Sequence, residues 1–246
     1  MEKRILIILG ALLCAGVLLT AVLTAVNRTP GKTPEEPAAS TAANAHTETA
    51  APTEQAAEPD WKLLLVNPWN ELPEDFSVEL KHFSGRHAVD ARIYPDLQAM
   101  LEDARAGGLS PIVCSSYRSQ EKQQALYDRK IARLQARGYS REDAEAEAGK
   151  WVAVPGTSEH QIGLAVDIVS LSYQLLDEAQ ADTAEQAWLM EHAHEYGFVL
   201  RYPKEKSSIT GICYEPWHYR YVGKNAAKVM YEQGICLEEY LEQRRK

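Results

Sequence analysis

What most limits the folds open to this chain is a division of its sequence near residue 60. Met1-Glu-Lys-Arg leads into an apolar run from Ile5 to Val26, in which Thr20 and Thr24 are the only polar side chains. A run of this length spans a bilayer, which takes roughly 20 helical residues, and it exceeds the apolar core of about 7–15 residues found in a cleaved signal peptide. The expectation is therefore a single-pass transmembrane anchor over residues 1–26, with cleavage as the alternative. Cys14 follows Leu13, which is too large for the small residue that precedes a lipoprotein cysteine, so it reads as a lipid-facing side chain. Lys3 and Arg4 favour an inside N-terminus, although Arg28 and Lys32 dilute that bias. Residues 27–60 are rich in Ala, Thr, Pro and Glu, without apolar periodicity and without Phe, Trp or Tyr. Such a segment cannot bury enough surface to fold, and as a disordered linker it gives a reach on the order of 30 Å. One folded domain is expected at 61–246, opening at Trp61.

Apolar spacing inside that domain alternates between helical and strand-like. Leu97, Met100, Leu101 and Ala104, with Pro95 before them and Gly107-Gly108 after, predict a helix over 96–106. Pro111 to Ser116 reads as a strand, and Ser119 as the cap of a helix carrying Leu126, Ile131 and Leu134 to Gly138. Ser140 with Asp143 predicts a short Ala/Glu helix, and Thr183 with Gln186 one that runs past Trp188, Leu189 and Tyr196 to Gly197. Leu164–Val169 and Ile212–Val222 are further strand candidates. Helices and a few short strands without a βαβ rhythm predict an α+β domain with a small, mainly antiparallel sheet flanked by helices. The net charge of -9 and pI near 5.3 offer no basic field for a polyanion, so nucleic acid is excluded as a partner.

The chemistry concentrates at three places. Asp167 interrupts Leu164-Ala-Val-Asp-Ile-Val, where an ionised carboxylate is costly unless paired or bound to metal. Seven residues upstream, His160 lies in a loop with Gly156 and Gly163, which permit sharp turns, and Tyr214-Glu-Pro-Trp-His supplies Glu215 and His218. Two imidazoles and one carboxylate make a three-ligand Zn2+ site with a fourth position for water, leaving Glu215 as general base. Arg118, just past a strand end, suits the developing oxyanion, with a helix cap or a pairing to Asp90 as alternatives. In a regular strand Glu215 and His218 point to opposite sides, and Pro216 predicts a bulge that realigns them.

Ser158-x-His160-x-x-Gly163-x-Ala165-x-Asp167 together with Glu215-x-Trp217-His218 resembles the paired signature of VanY-type D-alanyl-D-alanine carboxypeptidases. That family shares its fold group with D-Ala-D-Ala dipeptidases, lysostaphin-like endopeptidases and the hedgehog signalling domain. Tyr117-Arg118-Ser119 with Gln123, and Leu65-Val-Asn-Pro-Trp-Asn, extend the likeness over roughly 64–241. The resemblance implies metal ligands His160, Asp167 and His218, general base Glu215, Arg118 on the scissile carbonyl, and Ser158 and Gln123 holding substrate, with Trp217 shaping the pocket. It further implies a zinc peptidase acting on peptidoglycan stem peptides, positioned outside the cell membrane by the N-terminal helix. Alternatives are L,D-carboxypeptidase, D,D-dipeptidase or endopeptidase specificity, or a non-catalytic zinc-folded module that binds cell wall.

The other candidates read as structural. His192 and His194, two apart on a helix, point in different directions, His82 and His87 lie near the domain entrance, and His46 lies in the tether. Of Cys114, Cys213 and Cys236, an oxidised pair is chemically allowed outside the membrane, and Cys213 with Cys236 is the pairing weighed, with connectivity left open.

Overall fold

The computed structural model describes residues 60–245. The expected anchor, and all of the expected tether except Asp60, lie outside them. Among the described residues no helix is long and apolar enough to cross a membrane.

The architecture is α+β. An antiparallel hairpin of β1 (Leu80–Phe83) and β2 (His87–Asp90) precedes α1 (Tyr94–Ala106). The main sheet has four strands, β3 (Pro111–Ser115), β4 (Ala165–Ser170), β5 (Phe198–Leu200) and β6 (His218–Tyr221), in the order β3-β4-β6-β5 with every neighbour antiparallel. One face of the sheet presents Val166, Ile168, Tyr219 and Tyr221 to the apolar core, where α1 adds Leu97, Met100 and Leu101. The opposite face carries Ala165, Asp167, His218 and Arg220, as alternation along the strands requires.

Local signals account for most helices. Ser119 accepts a hydrogen bond from the Lys122 amide at 3.3 Å and starts α2 (Gln120–Gln135). Ser140 accepts from the Asp143 amide at 3.0 Å and starts α3 (Arg141–Gly149). These two helices form a hairpin around Ile131, Leu134, Ala144 and Ala148, a cluster separate from the main core. Thr183 caps α4 (Ala184–His192), which ends earlier than expected: the chain tightens into a 3-10 turn over Ala193–Tyr196 and leaves it through Gly197 at φ 88°. A single turn α5 (Ser207–Thr210) and two C-terminal helices, α6 (Lys224–Gln233) and α7 (Leu237–Arg244), complete the domain.

Three expectations change. The strand foreseen at Ile212–Val222 forms only at His218–Tyr221, because Pro216 occupies a turn closed by the His218 amide donating to Glu215 O at 3.1 Å. Glu215 thus precedes the strand, and no bulge is needed to bring it beside His218. Cys213 and Cys236 are both free thiols, so the bridge weighed between them is not formed. Each is held locally instead, the Cys213 amide on Lys150 O at 2.8 Å and the Cys236 amide on Glu239 Oε2 at 2.9 Å where it caps α7.

Gly163 joins the His160 turn to β4 at φ 72°, and a Cβ there would sit 2.8 Å from the Asp90 amide nitrogen. Gly163→Ala is expected to lower unfolding free energy by at least about 1–2 kcal/mol, the cost of the left-handed backbone alone, measured by urea denaturation. An unchanged midpoint and slope would mean the turn tolerates a side chain.

Candidate metal centre

The strand register builds the centre. Asp167 and His218 are Cα partners across β4 and β6, so their side chains are direct neighbours on one face, with His218 Nδ1 3.2 Å from Asp167 Oδ1. His160 arrives from a 3-10 turn, Glu159–Ile162, and places Nε2 3.3 Å from the same oxygen. The two imidazoles meet edge to face with ring centroids 4.9 Å apart. All three residues are buried, and their donor atoms lie within 4.8 Å of one another.

This donor set fits a zinc ion. Asp167 Oδ1 is buried without a hydrogen-bond partner although two imidazole nitrogens face it, the pattern expected of a shared coordination point. Tetrahedral zinc with bonds of about 2.0–2.1 Å separates its ligands by about 3.3 Å, which the two measured separations match. A neighbour also sets the tautomer of His160. His160 Nδ1 lies 2.9 Å from the Ser116 carbonyl, which can only accept, so Nε2 keeps its lone pair for the centre. His218 directs Nδ1 at Asp167 Oδ1, and its Nε2 lies 3.6 Å from Glu159 Oε2, beyond hydrogen-bond distance.

Burial, with the Arg118 guanidinium, pushes His160 down to about 4, keeping it neutral as ligation requires. Burial also works against an ionised Asp167, but His160, His218 and Arg118 outweigh it and hold the carboxyl well below the ordinary value. For His218, burial opposes charge while Asp167 and Glu159 carry the imidazole up to about 9.

Glu215 stands beside this group without belonging to it, its Oε2 3.5 Å from His218 Nδ1. Burial pushes its carboxyl up to about 8 against the pull of His218. Arg118 does not pair with Asp90, which Arg92 engages at 2.9 Å. Instead its Nη2 donates to Asp167 Oδ2 at 2.7 Å and to Ser115 Oγ at 2.8 Å, its Nε to Ser115 Oγ at 3.0 Å, and its Nη1 to Gln123 Oε1 at 3.3 Å. A guanidinium has five N–H donors, so one on Nη1 is left for the cleft that Arg118 lines.

That cleft encloses about 350 Å³ and is also lined by Ser158, Tyr202, Glu215, Trp217 and the three donors. Ser158 makes no hydrogen bond capping its own turn. Trp217 is buried, and its carbonyl accepts from the Ile168 amide at 2.9 Å. Gln123 is placed differently from expectation: it is fully buried, does not line the cleft, and donates to Ala153 O at 2.7 Å while accepting from Arg118. His192 is 3.0 Å from Glu195 Oε1 and His194 stacks on Tyr231, neither of them lining the cleft.

Sequence reasoning missed the layer behind the donors. Glu159 is fully buried, and its Oε1 accepts from Arg201 Nε at 2.7 Å and Arg220 Nη1 at 2.8 Å while Oε2 faces His218. Arg201 also grips Glu238 through two nitrogens at 2.9 and 2.7 Å. A signal for Arg220 was present, since a charge in the apolar segment Tyr219-Arg-Tyr-Val invites the question asked of Asp167. Nothing marked Arg201, which reaches the site because its amide donates to His218 O at 3.1 Å.

Comparison with known proteins gives concordant matches. The family described as VanY, D-alanyl-D-alanine carboxypeptidase, matches residues 86–224. A D-alanyl-D-alanine carboxypeptidase of Enterococcus faecalis is 50% identical over 190 residues, covering 76% of this chain and 68% of that protein. Two solved structures are 49% identical and cover 74% of this chain. One is a vancomycin resistance D,D-pentapeptidase VanY mutant in complex with Zn(II), with TM-score 0.68 and 99% of its chain covered. The other is VanYB in complex with D-alanine-D-alanine, with TM-score 0.69 and 98% covered.

His160→Ala is expected to abolish stoichiometric zinc binding while the domain stays folded, as read by metal analysis and circular dichroism; full occupancy in that variant would remove His160 from the ligand set. Glu159→Gln is expected to weaken zinc about ten- to hundredfold and to cost about 3–5 kcal/mol of stability, because two buried guanidiniums lose their shared anion. Calorimetric zinc titration and urea unfolding measure the two effects separately.

Proposed function

Because this chain belongs to the VanY D-alanyl-D-alanine carboxypeptidase family, we propose that it is a zinc metallopeptidase releasing the terminal D-Ala from peptidoglycan stem peptides that end in D-Ala-D-Ala. The observation that carries this reading is the convergence of His160 and His218 on one buried oxygen of Asp167, with Glu215 adjacent but outside the donor group. A non-catalytic binding module has no use for that fourth side chain, a buried carboxyl outside the donor set.

Zinc, when bound, supplies Lewis-acid polarisation of the substrate carbonyl and lowers the pKa of the attacking water. Glu215 takes the proton of that water and delivers it to the departing D-Ala amine, a relay suited to a carboxyl that burial has lifted to about 8. Arg118 holds Asp167 in place through Oδ2 and offers its remaining N–H to the negative charge that develops on the carbonyl oxygen. Ser158 and Trp217, on the cleft wall, position the two terminal residues, and Gln123 keeps Arg118 aimed from behind. The same reading places the domain outside the cytoplasmic membrane, where stem peptides are displayed. The apolar run Ile5–Val26 followed by a polar, Pro-containing stretch supports that position.

Glu215→Ala is expected to retain zinc and fold while hydrolysis falls by about 10²–10⁴, as measured by mass analysis of products from a synthetic pentapeptide with and without chelator. Wild-type turnover in that variant would take Glu215 out of the mechanism. D-Ala release from the tetrapeptide alone would move the specificity to the L,D class.

A further inference from the structure

One wall of the cleft has no part in the chemistry above. It is a stripe of α2, where Leu126, Arg129, Lys130 and Arg133 face the same cleft as the donor group. Arg129 and Lys130 lie three and four residues after Leu126, and Arg133 four and three residues after them, a spacing that gathers the four on one side of the helix. At about 1.5 Å per residue the stripe from Leu126 to Arg133 is about 10 Å long, the span of about three residues of extended peptide.

The charges on this stripe have no internal counterpart. None of Arg129, Lys130 and Arg133 forms an ion pair among the described residues. Arg129 spends its Nε on Ala125 O at 3.1 Å, within its own helix, and Lys130 lies over the Trp151 ring at 5.1 Å. The acidic group that acts most strongly on Lys130 is Glu147. That carboxylate is already held by Lys150 at 2.8 Å and by Trp151 Nε1 at 3.0 Å. Burial and the charges of Arg133 and Arg137 both disfavour the ammonium of Lys130, which nonetheless stands in the row. In a chain of net charge -9, three adjacent cations with no carboxylate to meet them and a catalytic cleft in front of them call for an anion from outside.

We infer that Arg129, Lys130 and Arg133 form an anion-recognising wall that selects peptides bearing a free carboxylate on the acyl side of the scissile bond. The inference rests on the hydrolase reading of the cleft. The leaving D-Ala brings a single carboxylate, too little for three cations spread over about 6 Å of helix axis. A stem peptide attached to polymer continues on the acyl side, and any residue there linked through its side-chain carboxyl leaves its α-carboxylate free. Conversion of that carboxylate to a carboxamide removes the charge and keeps the shape, so the wall distinguishes amidated from unamidated stems.

The test uses the zinc-loaded full-length protein and two synthetic pentapeptides ending in D-Ala-D-Ala that differ only in a free carboxylate or a carboxamide upstream of the alanines. For the wild type, kcat/KM is expected to favour the carboxylate about three- to tenfold at low ionic strength, the scale of a few exposed ion pairs, and to approach parity near 1 M salt. In Arg129→Ala/Arg133→Ala, and to a lesser degree in Lys130→Gln, the ratio within each variant falls toward one, through KM. Calorimetric binding of both peptides to Glu215→Ala protein reports the same ratio without turnover. A ratio near one in the wild type, or one that survives in the double variant, overturns the wall. An N-capped tripeptide ending in D-Ala-D-Ala, whose C-terminal carboxylate is its one charge, separates the two readings: its failure to be hydrolysed counts against the proposed function, while the calorimetric ratio still decides the wall.

Discussion

The structure depends on keeping an ionised carboxylate, Asp167, inside a sheet. Burying such a charge alone costs many kcal/mol, and four residues share the work of making it tolerable. Arg118 meets one oxygen at 2.7 Å, and His160 and His218 flank the other. Ser115, the partner of Asp167 on β3, holds Arg118 in turn. All of this follows from register. A slip of one residue between β4 and β6 would turn Asp167 toward the apolar face and send Val166 or Ile168 into the cleft, so the pairing that folds the sheet also assembles the site.

Behind the donors lies a second, fully enclosed set of charges. Glu159 is adjacent to His160 in the chain, yet its Oε2 faces His218, and Arg201, just after β5, and Arg220, on β6, neutralise it. Glu238 at the start of α7 completes the set and receives Asn67 at 3.0 Å, tying the first and last parts of the domain to one polar knot. Buried ion pairs are weak contributors to net stability, since desolvation offsets their attraction. Here they set the Glu159 carboxylate 3.6 Å from His218 Nε2, so a buried negative charge backs the imidazole on the side away from the donors.

How much of this was legible in the sequence varied with how local the cause was. Ser119, Ser140 and Thr183 act within three residues of themselves, and each caps the helix expected of it. The chemistry-bearing side chains were legible because a lone Asp in an apolar strand stood together with two His-bearing segments in a recognisable paired signature. The failures share a different cause. β5 is only three residues long and exists because β6 is beside it. The turn at Pro216 replaced a longer strand because a backbone N–H cannot come from proline, so the chain closed on Glu215 O instead. Gln123 was expected at the substrate and lies behind Arg118, a distinction of depth that spacing along a helix cannot express.

The cleft combines two parts of different mechanical character. Its floor is carried by β4, β6 and the Gly163 turn, packed on the main core, where a shift of one residue would disturb both metal donors and sheet. Its wall belongs to the α2–α3 hairpin, which has its own small cluster around Ile131, Leu134, Ala144 and Ala148. Gln123 is a joint between the two, since it lies on α2 and binds both Arg118 and the Ala153 carbonyl. Side chains farther along α2, such as Arg129 and Arg133, are exposed and make no contact with the donors. Substitution there alters what the cleft recognises while leaving the floor intact, which separates the part of the domain that performs hydrolysis from the part that chooses the peptide.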